Sequence, residues 1–310
     1  MPLTILLMKE VRPVKAGWYN AFRPWTLHGA VVPVLIGTVV AYHKIPDSFN
    51  LIIFALILIG GCLLQSAANL LNTYGDFEKG IDTEENHIRS PELVTGALRP
   101  RSVLYAGIAC LGITALLGLI FIWYSGWEIL LIGLAGIAAA GLYTVGMAYK
   151  YRGLGQISVF IMMGLLMPLG TYFVLTSQFS PDPVMVGLPN AFFITAVLCG
   201  NEMRDFRTDL EAGIGTLCGR IGYERGLRLY WAENTIPYLI LVIVVIAGFA
   251  PWTSLIAFAS LALWYKLIRN SKKADEDRRA AFMMVPAAFK LNWVFGVLLT
   301  AGYLIGIIFL

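Results

Sequence analysis

The sequence is poor in charged residues. Asp, Glu, Lys and Arg make up 14% of the 310 residues, whereas a soluble domain carries about 25%. Hydrophobic residues make up 58%, and the mean hydropathy is +0.73. This composition excludes a water-soluble globular enzyme. Long apolar runs and an aromatic content of 13% also exclude a disordered chain.

Several motif classes are missing as well. The 4 cysteines have no Cys-x-x-Cys spacing, so no disulfide framework is expected. The 3 histidines lack the spacing of metal ligands, and no glycine-rich nucleotide motif occurs. The net charge of +4 is too small to indicate nucleic acid as a partner. No obligate protein partner is evident either.

Nine apolar segments are each long enough, or nearly so, to cross a hydrocarbon core of about 30 Å. Backbone groups in lipid must be paired within the chain, so we expect helices. The segments lie at 22–42, 50–71, 102–124, 127–148, 156–177, 184–203, 227–249, 251–268 and 282–309. We therefore predict an all-α polytopic membrane protein of nine transmembrane helices. It forms a single domain over 1–310, with 1–21 as an interfacial segment.

The basic residues are distributed unevenly. Of the 23 Lys and Arg residues, all except Lys44 and Lys290 fall in the N-terminal segment or after an even-numbered apolar segment. By the positive-inside rule, the N-terminus and these loops are cytoplasmic in an inner (plasma) membrane, and the C-terminus lies on the opposite side. The long loops 76–101 and 204–226 are rich in Asp, Glu and Arg, so we expect them to form a functional cytoplasmic cap.

Two polar clusters close the second and sixth apolar segments. Asn72 and Asp76 share one helix face, and Asn201, Asp205 and Asp209 share another. Carboxylates stacked near a membrane core repel one another and are costly to desolvate, and a divalent cation removes both costs. Oxygen ligands from Asp and Asn favour Mg²⁺. Two such clusters predict two metal sites, or one site with two ions.

Mg²⁺ keeps few protein ligands and completes its shell with substrate phosphates. Lys79, Arg89 and Arg204 lie close to the clusters in sequence and could bind the same phosphates. A diphosphate held at a membrane face indicates a lipid diphosphate as substrate. Solvated acidic helix ends are the plain alternative, but they do not explain why Asn-x-x-x-Asp recurs at Asn72 and Asn201.

The two clusters resemble the Asp-rich motifs of the UbiA superfamily of intramembrane prenyltransferases. Within it, the chain is most similar to the polyprenyltransferases that act on 1,4-dihydroxy-2-naphthoate in menaquinone synthesis. The similar stretches lie at 22–27, 32–37, 69–83, 142–144, 152–155, 170–172 and 201–217. The resemblance implies nine helices around a central cavity open to lipid, with Mg²⁺ and an isoprenyl diphosphate bound under the cap.

The resemblance also implies roles for individual residues. Asn72, Asp76, Asp205 and Asp209 match metal and diphosphate positions, and Asn201 and Asp82 match further motif positions. Asp82 would act on the acceptor or support a metal, so the four aspartates are the catalytic candidates. Basic positions near the diphosphate correspond to Arg23, Lys79 and Arg89.

Tyr143 and Lys150 are further substrate-binding candidates. The Tyr143 ring could stabilise an allylic cation, or it could be an interfacial tyrosine. Either Lys150 or Arg152 could bind an acceptor carboxylate, or both could simply belong to a positive-inside loop. The chain departs from the resembling enzymes at Gln156, where they usually carry an acid, and at Glu202, where they usually carry Asn.

The expected reaction is Mg²⁺-dependent transfer of a polyprenyl group to an aromatic acceptor. That acceptor would be 1,4-dihydroxy-2-naphthoate, which would lose its carboxyl group to give demethylmenaquinone. Because of the departures, 4-hydroxybenzoate, homogentisate and a glycerol phosphate stay open. A cation-coupled transporter is the alternative from another class, but it should carry paired ionisable residues mid-span, where only Glu233 and Lys290 lie.

Overall fold

A computed structural model describes residues 16–83 and 91–309, and the regular structure of these residues is entirely helical. Within them, seven helices are long and apolar enough to cross a membrane, and two main helices are shorter. In chain order the nine main helices are α1 (Trp18–Lys44), α2 (Leu51–Glu78), α3 (Pro100–Ser125), α4 (Ile129–Gly141), α5 (Gly155–Thr176), α6 (Asp182–Arg204), α7 (Tyr223–Ile246), α8 (Leu261–Ser271) and α9 (Arg278–Phe309).

The predicted fourth and eighth segments differ from expectation in length. The 13 residues of α4 span about 20 Å, less than a hydrocarbon core. Apolar character continues past Gly141, but the chain leaves the helix there and forms a loop with a 3₁₀ turn at Tyr149–Arg152. The eighth segment is divided into a 3₁₀ stretch, Trp252–Ser260, and α8.

Helix α1 is kinked near its start. A short α-helix, Trp18–Phe22, is followed by a 3₁₀ turn at Pro24–Thr26 before the helix resumes at His28. Proline disfavours the right-handed helical conformation in the residue before it, and Arg23 accordingly has a left-handed backbone with φ 51°. The kink directs this arginine toward α2, where its Nη2 donates to Thr73 Oγ1 over 3.2 Å.

The core of the bundle surrounds α6, which packs against α1, α7 and α9. Phe193 on α6 lies 4.6 Å from Phe295 and 5.8 Å from Tyr238 between ring centroids. Deeper in the same interface, Asn292 donates to Asn190 over 2.7 Å, which satisfies a polar pair that would be costly to leave unbonded. By contrast, α3 exposes apolar side chains such as Leu116 and Leu119, as suits a lipid-facing helix.

The bundle has two ends, which we call the site face and the far face. The site face holds the ends of α2 and α6 and the loop 142–154. The connections after α2 and α6 contain the short helices Pro91–Val94, Phe206–Glu211 and Leu217–Ile221. The far face holds the end of α1 and the start of α6, where Lys44 forms a 2.6 Å salt bridge with Asp182.

Candidate active site

A cavity of about 1120 Å³ extends through the bundle from the site face. Its walls are largely apolar, and its polar groups concentrate near the ends of α2 and α6. Most of the predicted site residues line it: Arg23, Asn72, Asp76, Asp82, Tyr143, Lys150, Asn201, Arg204, Asp205 and Asp209. Lys79 does not line it, and Arg89 lies outside the described residues.

Asn72 and Asp76 share one face of α2, as predicted. The helix continues to Glu78, beyond the predicted boundary at 71, and Asn72 Nδ2 donates to Asp76 Oδ2 over 2.9 Å. Gly80 then adopts a left-handed backbone with φ 68°, which ends the helix as glycine commonly does. The backbone N–H of Ile81 turns back to the Asp76 carbonyl over 2.9 Å. This turn returns Asp82 to the cavity wall.

The loop after α4 packs tightly against α2. Thr144 is buried and its Oγ1 donates to the Leu71 carbonyl over 2.9 Å. Gly75 lies opposite, and a Cβ atom there would come within 2.8 Å of Thr144 Cβ. The bare backbone of Gly75 therefore allows the loop to approach α2, and this brings Lys150 to Asp76.

Lys150 and Tyr151 converge on the α2 motif. The Lys150 ammonium donates to Asn72 Oδ1 over 2.8 Å and to both Asp76 oxygens over 3.1 and 3.0 Å. The Tyr151 hydroxyl donates to Asp76 Oδ1 over 2.5 Å. Burial and the negative charge of Asp76 raise the pKa of Tyr151, so its hydroxyl remains a donor. Lys79 lies over the Tyr151 ring, 4.0 Å from its centroid.

The oxygens of Asn72 and Asp76 therefore contact a cation, which in this structure is the ammonium group of Lys150. A donor set made only of oxygen suits Mg²⁺, so the residues fit the predicted metal. No three acidic, histidine or cysteine side chains of the described chain are close enough together to hold an ion alone. A metal here would depend on amide and phosphate oxygens to complete its shell.

The second motif lies where α6 ends. The helix ends at Arg204, but i to i+4 backbone bonds continue from Asp205 to Asn201 over 3.0 Å and from Asp209 to Asp205 over 2.8 Å. All three side chains therefore line the cavity. Arg204 holds the Asp205 carboxylate with two bonds, from Nε over 2.7 Å and from Nη2 over 2.9 Å.

Tyr143 lies beside Lys150 in the cavity wall. The Lys150 Nζ is 6.0 Å from the centre of its ring, and Tyr149 packs edge-on at 5.4 Å. Its ring presents an aromatic surface to the cavity.

Three polar residues that the sequence did not mark as site residues support this arrangement. Tyr151 is one, and only its place beside Lys150 could have indicated it. The other two are Gln156 and Glu202, the positions at which the chain departs from the resembling enzymes. Gln156 Nε2 donates to Glu202 Oε2 over 2.8 Å, and the backbone N–H of Cys218 donates to the same oxygen over 3.0 Å.

The profile of the UbiA prenyltransferase family matches residues 30–296. The chain belongs to this family. The match covers most of the chain, so this UbiA prenyltransferase is an integral membrane enzyme that transfers polyprenyl groups.

Curated relatives of this UbiA prenyltransferase have informative names. A 1,4-dihydroxy-2-naphthoate octaprenyltransferase of Bacillus subtilis is 31% identical over 285 residues, which cover 91% of this chain and 90% of that protein. A protein of the same name from Haemophilus influenzae is 30% identical, and the match covers 93% of this chain and 96% of that protein.

Solved structures share the fold. A UbiA homologue of Archaeoglobus fulgidus bound to DMAPP and Mg²⁺ superimposes with a TM-score of 0.61 and 16% identity, covering 91% of this chain and 98% of that chain. A UbiA homologue of Aeropyrum pernix gives a TM-score of 0.66 at 16% identity, and the match covers 89% of this chain and 96% of that chain.

Proposed function

We propose that this enzyme transfers a polyprenyl group from its diphosphate to 1,4-dihydroxy-2-naphthoate, giving the reduced, dihydroxy form of demethylmenaquinone. The observation that carries the proposal is the paired arrangement of Asn72 with Asp76 and Asn201 with Asp205 at one end of a long apolar cavity. The polar end suits a diphosphate and the apolar length suits a polyprenyl chain. The printed names of the two bacterial relatives support the choice of acceptor.

Asn72, Asp76, Asn201, Asp205 and Asp209 would hold Mg²⁺ together with the diphosphate. When bound, the metal would withdraw charge from the diphosphate as it leaves. The A. fulgidus homologue was solved with a prenyl diphosphate and Mg²⁺, which supports the same pairing here. In this proposal all four aspartates, including Asp82, touch the metal or the reacting groups.

The basic residues at the site face would bind the diphosphate oxygens directly. Arg23, Lys150 and Arg204 line the cavity beside the acids, and Lys79 and Arg89 would supply further positive charge from the cap. Guanidinium and ammonium groups form short, strong bonds to phosphate oxygens. Their role is to fix the prenyl diphosphate and to stabilise the negative charge that develops on it.

The reaction then proceeds in three steps, which are loss of the diphosphate, formation of the carbon–carbon bond and loss of CO₂. The bond between the first prenyl carbon and the diphosphate oxygen breaks, and its electron pair leaves with the diphosphate. The allylic cation lies against the neutral ring of Tyr143, whose face is attractive to positive charge. The ring carbon that carries the carboxylate forms the new carbon–carbon bond. The carboxylate leaves as CO₂, and its electron pair restores the aromatic ring.

The proposed architecture is a single domain in which nine helices cross the membrane. Trp252–Ser260 and α8 would together make the eighth crossing, and α4 would make the fourth with help from loop 142–154. The loops 76–101 and 204–226 would form a cap on the cytoplasmic side of an inner membrane, and the C-terminus would lie outside. The unequal distribution of basic residues supports this orientation.

An acceptor assay tests the proposed function. The purified enzyme would be incubated with octaprenyl diphosphate, Mg²⁺ and each of 1,4-dihydroxy-2-naphthoate, 4-hydroxybenzoate, homogentisate and glycerol 1-phosphate. We expect prenylated product and CO₂ from the first acceptor only. Preferential product formation with any of the other three would reject the proposed acceptor.

The same assay tests the metal assignment. We expect the variants Asp76→Asn and Asp205→Asn, and the wild type with EDTA, to lose about 100-fold or more of the rate, since metal and electrostatic contributions of this kind are worth several kcal/mol. Arg207→Gln is the control, because its salt bridge to Asp275 is exposed and neither residue lines the cavity. A normal rate in both Asn variants would contradict the assignment.

A further inference from the structure

Lys290 lies on an open side of the cavity wall, part-way along α9 and away from the diphosphate-binding residues. One stripe of α9 faces the cavity at helical spacing, and it consists of Phe282, Val285, Pro286, Phe289, Lys290 and Trp293. Lys290 is the one charged residue of this stripe. A lysine facing the interior of a membrane bundle marks a functional site by default.

The packing of α9 against α6 gives the depth of Lys290. Met284 is level with Gly200, since a Cβ at Gly200 would lie 3.5 Å from the Met284 backbone. Asn292 is level with Asn190, to which it donates over 2.7 Å. Lys290 is therefore roughly 12 Å deeper than Asn201 along the helix axis, at 1.5 Å per residue. Side chains lean toward the start of their helix, so its ammonium points back toward the site face.

The surroundings of Lys290 are aromatic. The His28 ring on α1 packs edge-on against Phe289 at 4.7 Å and Trp293 at 5.7 Å. His28 also lines the cavity. A flat aromatic ligand would contact these rings.

The charge of Lys290 is not balanced within the described chain. No acidic side chain of the described residues forms a salt bridge with it, although its side chain is accessible on the cavity wall. An unpaired ammonium at this depth is best stabilised by an anion that enters the cavity. The diphosphate is held by the opposite, metal-binding end, so the anion is a different one.

We propose that Lys290 is the acceptor-carboxylate site of this enzyme, and that His28, Phe289 and Trp293 form the walls for the acceptor ring. This inference rests on the proposed function, because it assumes an aromatic acid as acceptor. The acceptor lies between Lys290 and the acidic end, and the ring carbon that carries its carboxylate faces the allylic carbon. Lys290 is then a specificity-determining residue, while Lys150 remains with Asn72 and Asp76.

Direct binding tests the proposal without requiring turnover. The fluorescent probe 1-hydroxy-2-naphthoate and its carboxylate-free analogue 1-naphthol would be titrated into enzyme in lipid nanodiscs. The variants are Lys290→Met, Lys290→Arg and, as a matched control, Lys266→Met, whose lysine is exposed on α8. We expect Lys290→Met to weaken naphthoate binding about 10- to 100-fold, the value of a hydrogen bond between charged groups. The affinity of Lys290→Met for 1-naphthol should stay within about twofold of the wild type. The affinities of Lys266→Met for both probes should stay within the same range.

The outcomes separate this proposal from its alternatives. Partial recovery of naphthoate binding in Lys290→Arg supports recognition of a carboxylate. Equal naphthoate binding by Lys290→Met and the wild type overturns the proposal and leaves a lysine that snorkels toward the interface. Equal losses for both probes overturn it too, since they indicate altered packing. The acceptor assay above is independent, so failure of the proposed function is recognised separately.

Discussion

At the scale of single residues, the clearest finding concerns the contact between Gln156 and Glu202. The sequence marks each as a departure from the resembling enzymes, one an amide in place of an acid and the other an acid in place of an amide. In the fold they are hydrogen-bond partners, both buried. Compared with the pattern that the resemblance implies, the acid and the amide stand in reverse order, and their hydrogen bond joins the two segments. Glu202 also anchors the short helix Leu217–Ile221 through the Cys218 backbone.

An exchange of the two side chains tests this interpretation. Gln156→Glu alone would put two buried carboxylates in contact, and we expect it to lower the free energy of unfolding by about 1–3 kcal/mol and to reduce activity. The double variant Gln156→Glu, Glu202→Gln should recover most of both, because one acid and one amide face each other again. Thermal melting and the acceptor assay measure the two effects. Gln178→Glu, exposed on the far face, is the matched single-charge control.

A different result would count against the exchange. If the double variant were as impaired as Gln156→Glu, the positions would not be equivalent, and the acid would be required on α6 itself.

At the scale of elements, the loop after α4 explains why the sequence could not give the whole site. Polar character at Asn72 suggested that the apolar segment ended at 71, yet α2 continues to Glu78 because its backbone bonds do not depend on apolar side chains. The predicted face of Asn72 and Asp76 was correct for that reason. The contact of Lys150 with Asp76 joins residues far apart in the chain, and no local pattern reports such a contact.

The glycine under this loop gives an element-scale prediction. Gly75→Ala adds a Cβ atom only 2.8 Å from Thr144 Cβ, so the loop must move. This movement displaces Lys150 and Tyr151 away from Asp76. Overpacking of this kind costs about 1–3 kcal/mol, and we expect about a tenfold or greater loss of prenyl transfer. Gly112→Ala on α3 is the matched control, since nothing lies within 4 Å of its added Cβ and it does not line the cavity. Unchanged kinetics in a folded Gly75→Ala enzyme would show that loop placement is not critical.

At the scale of the molecule, hydropathy predicted the positions of the helices better than their lengths. The apolar run at 127–148 ends as a helix at Gly141, and the run at 251–268 is divided between a 3₁₀ stretch and α8. Seven helices of the described chain meet the length and composition of a membrane span. The apolar pattern reports burial in lipid, and it does not report where a chain leaves the helix to pack against a neighbour.

Labelling from the two sides of the membrane tests the orientation. Cysteine at Lys273, in the turn before α9, should react with an impermeant maleimide from the cytoplasmic side only, and cysteine at Gln178 from the outside only. Background labelling should be low, because three native cysteines are buried and Cys62 is partly buried. Labelling of both variants from one side would contradict the alternation of the helices.

The Lys44–Asp182 salt bridge has a consequence for the energy of the whole protein in an electric field. Among the described residues, the far face has a single lysine, which this salt bridge neutralises, beside the carboxylates of Asp47 and Glu128. The molecule is therefore a large electric dipole, positive at the site face and negative at the far face. A membrane potential acts on each elementary charge with about 2.3 kcal/mol per 100 mV. In a cell with a negative interior, this field favours the orientation with the active site inside.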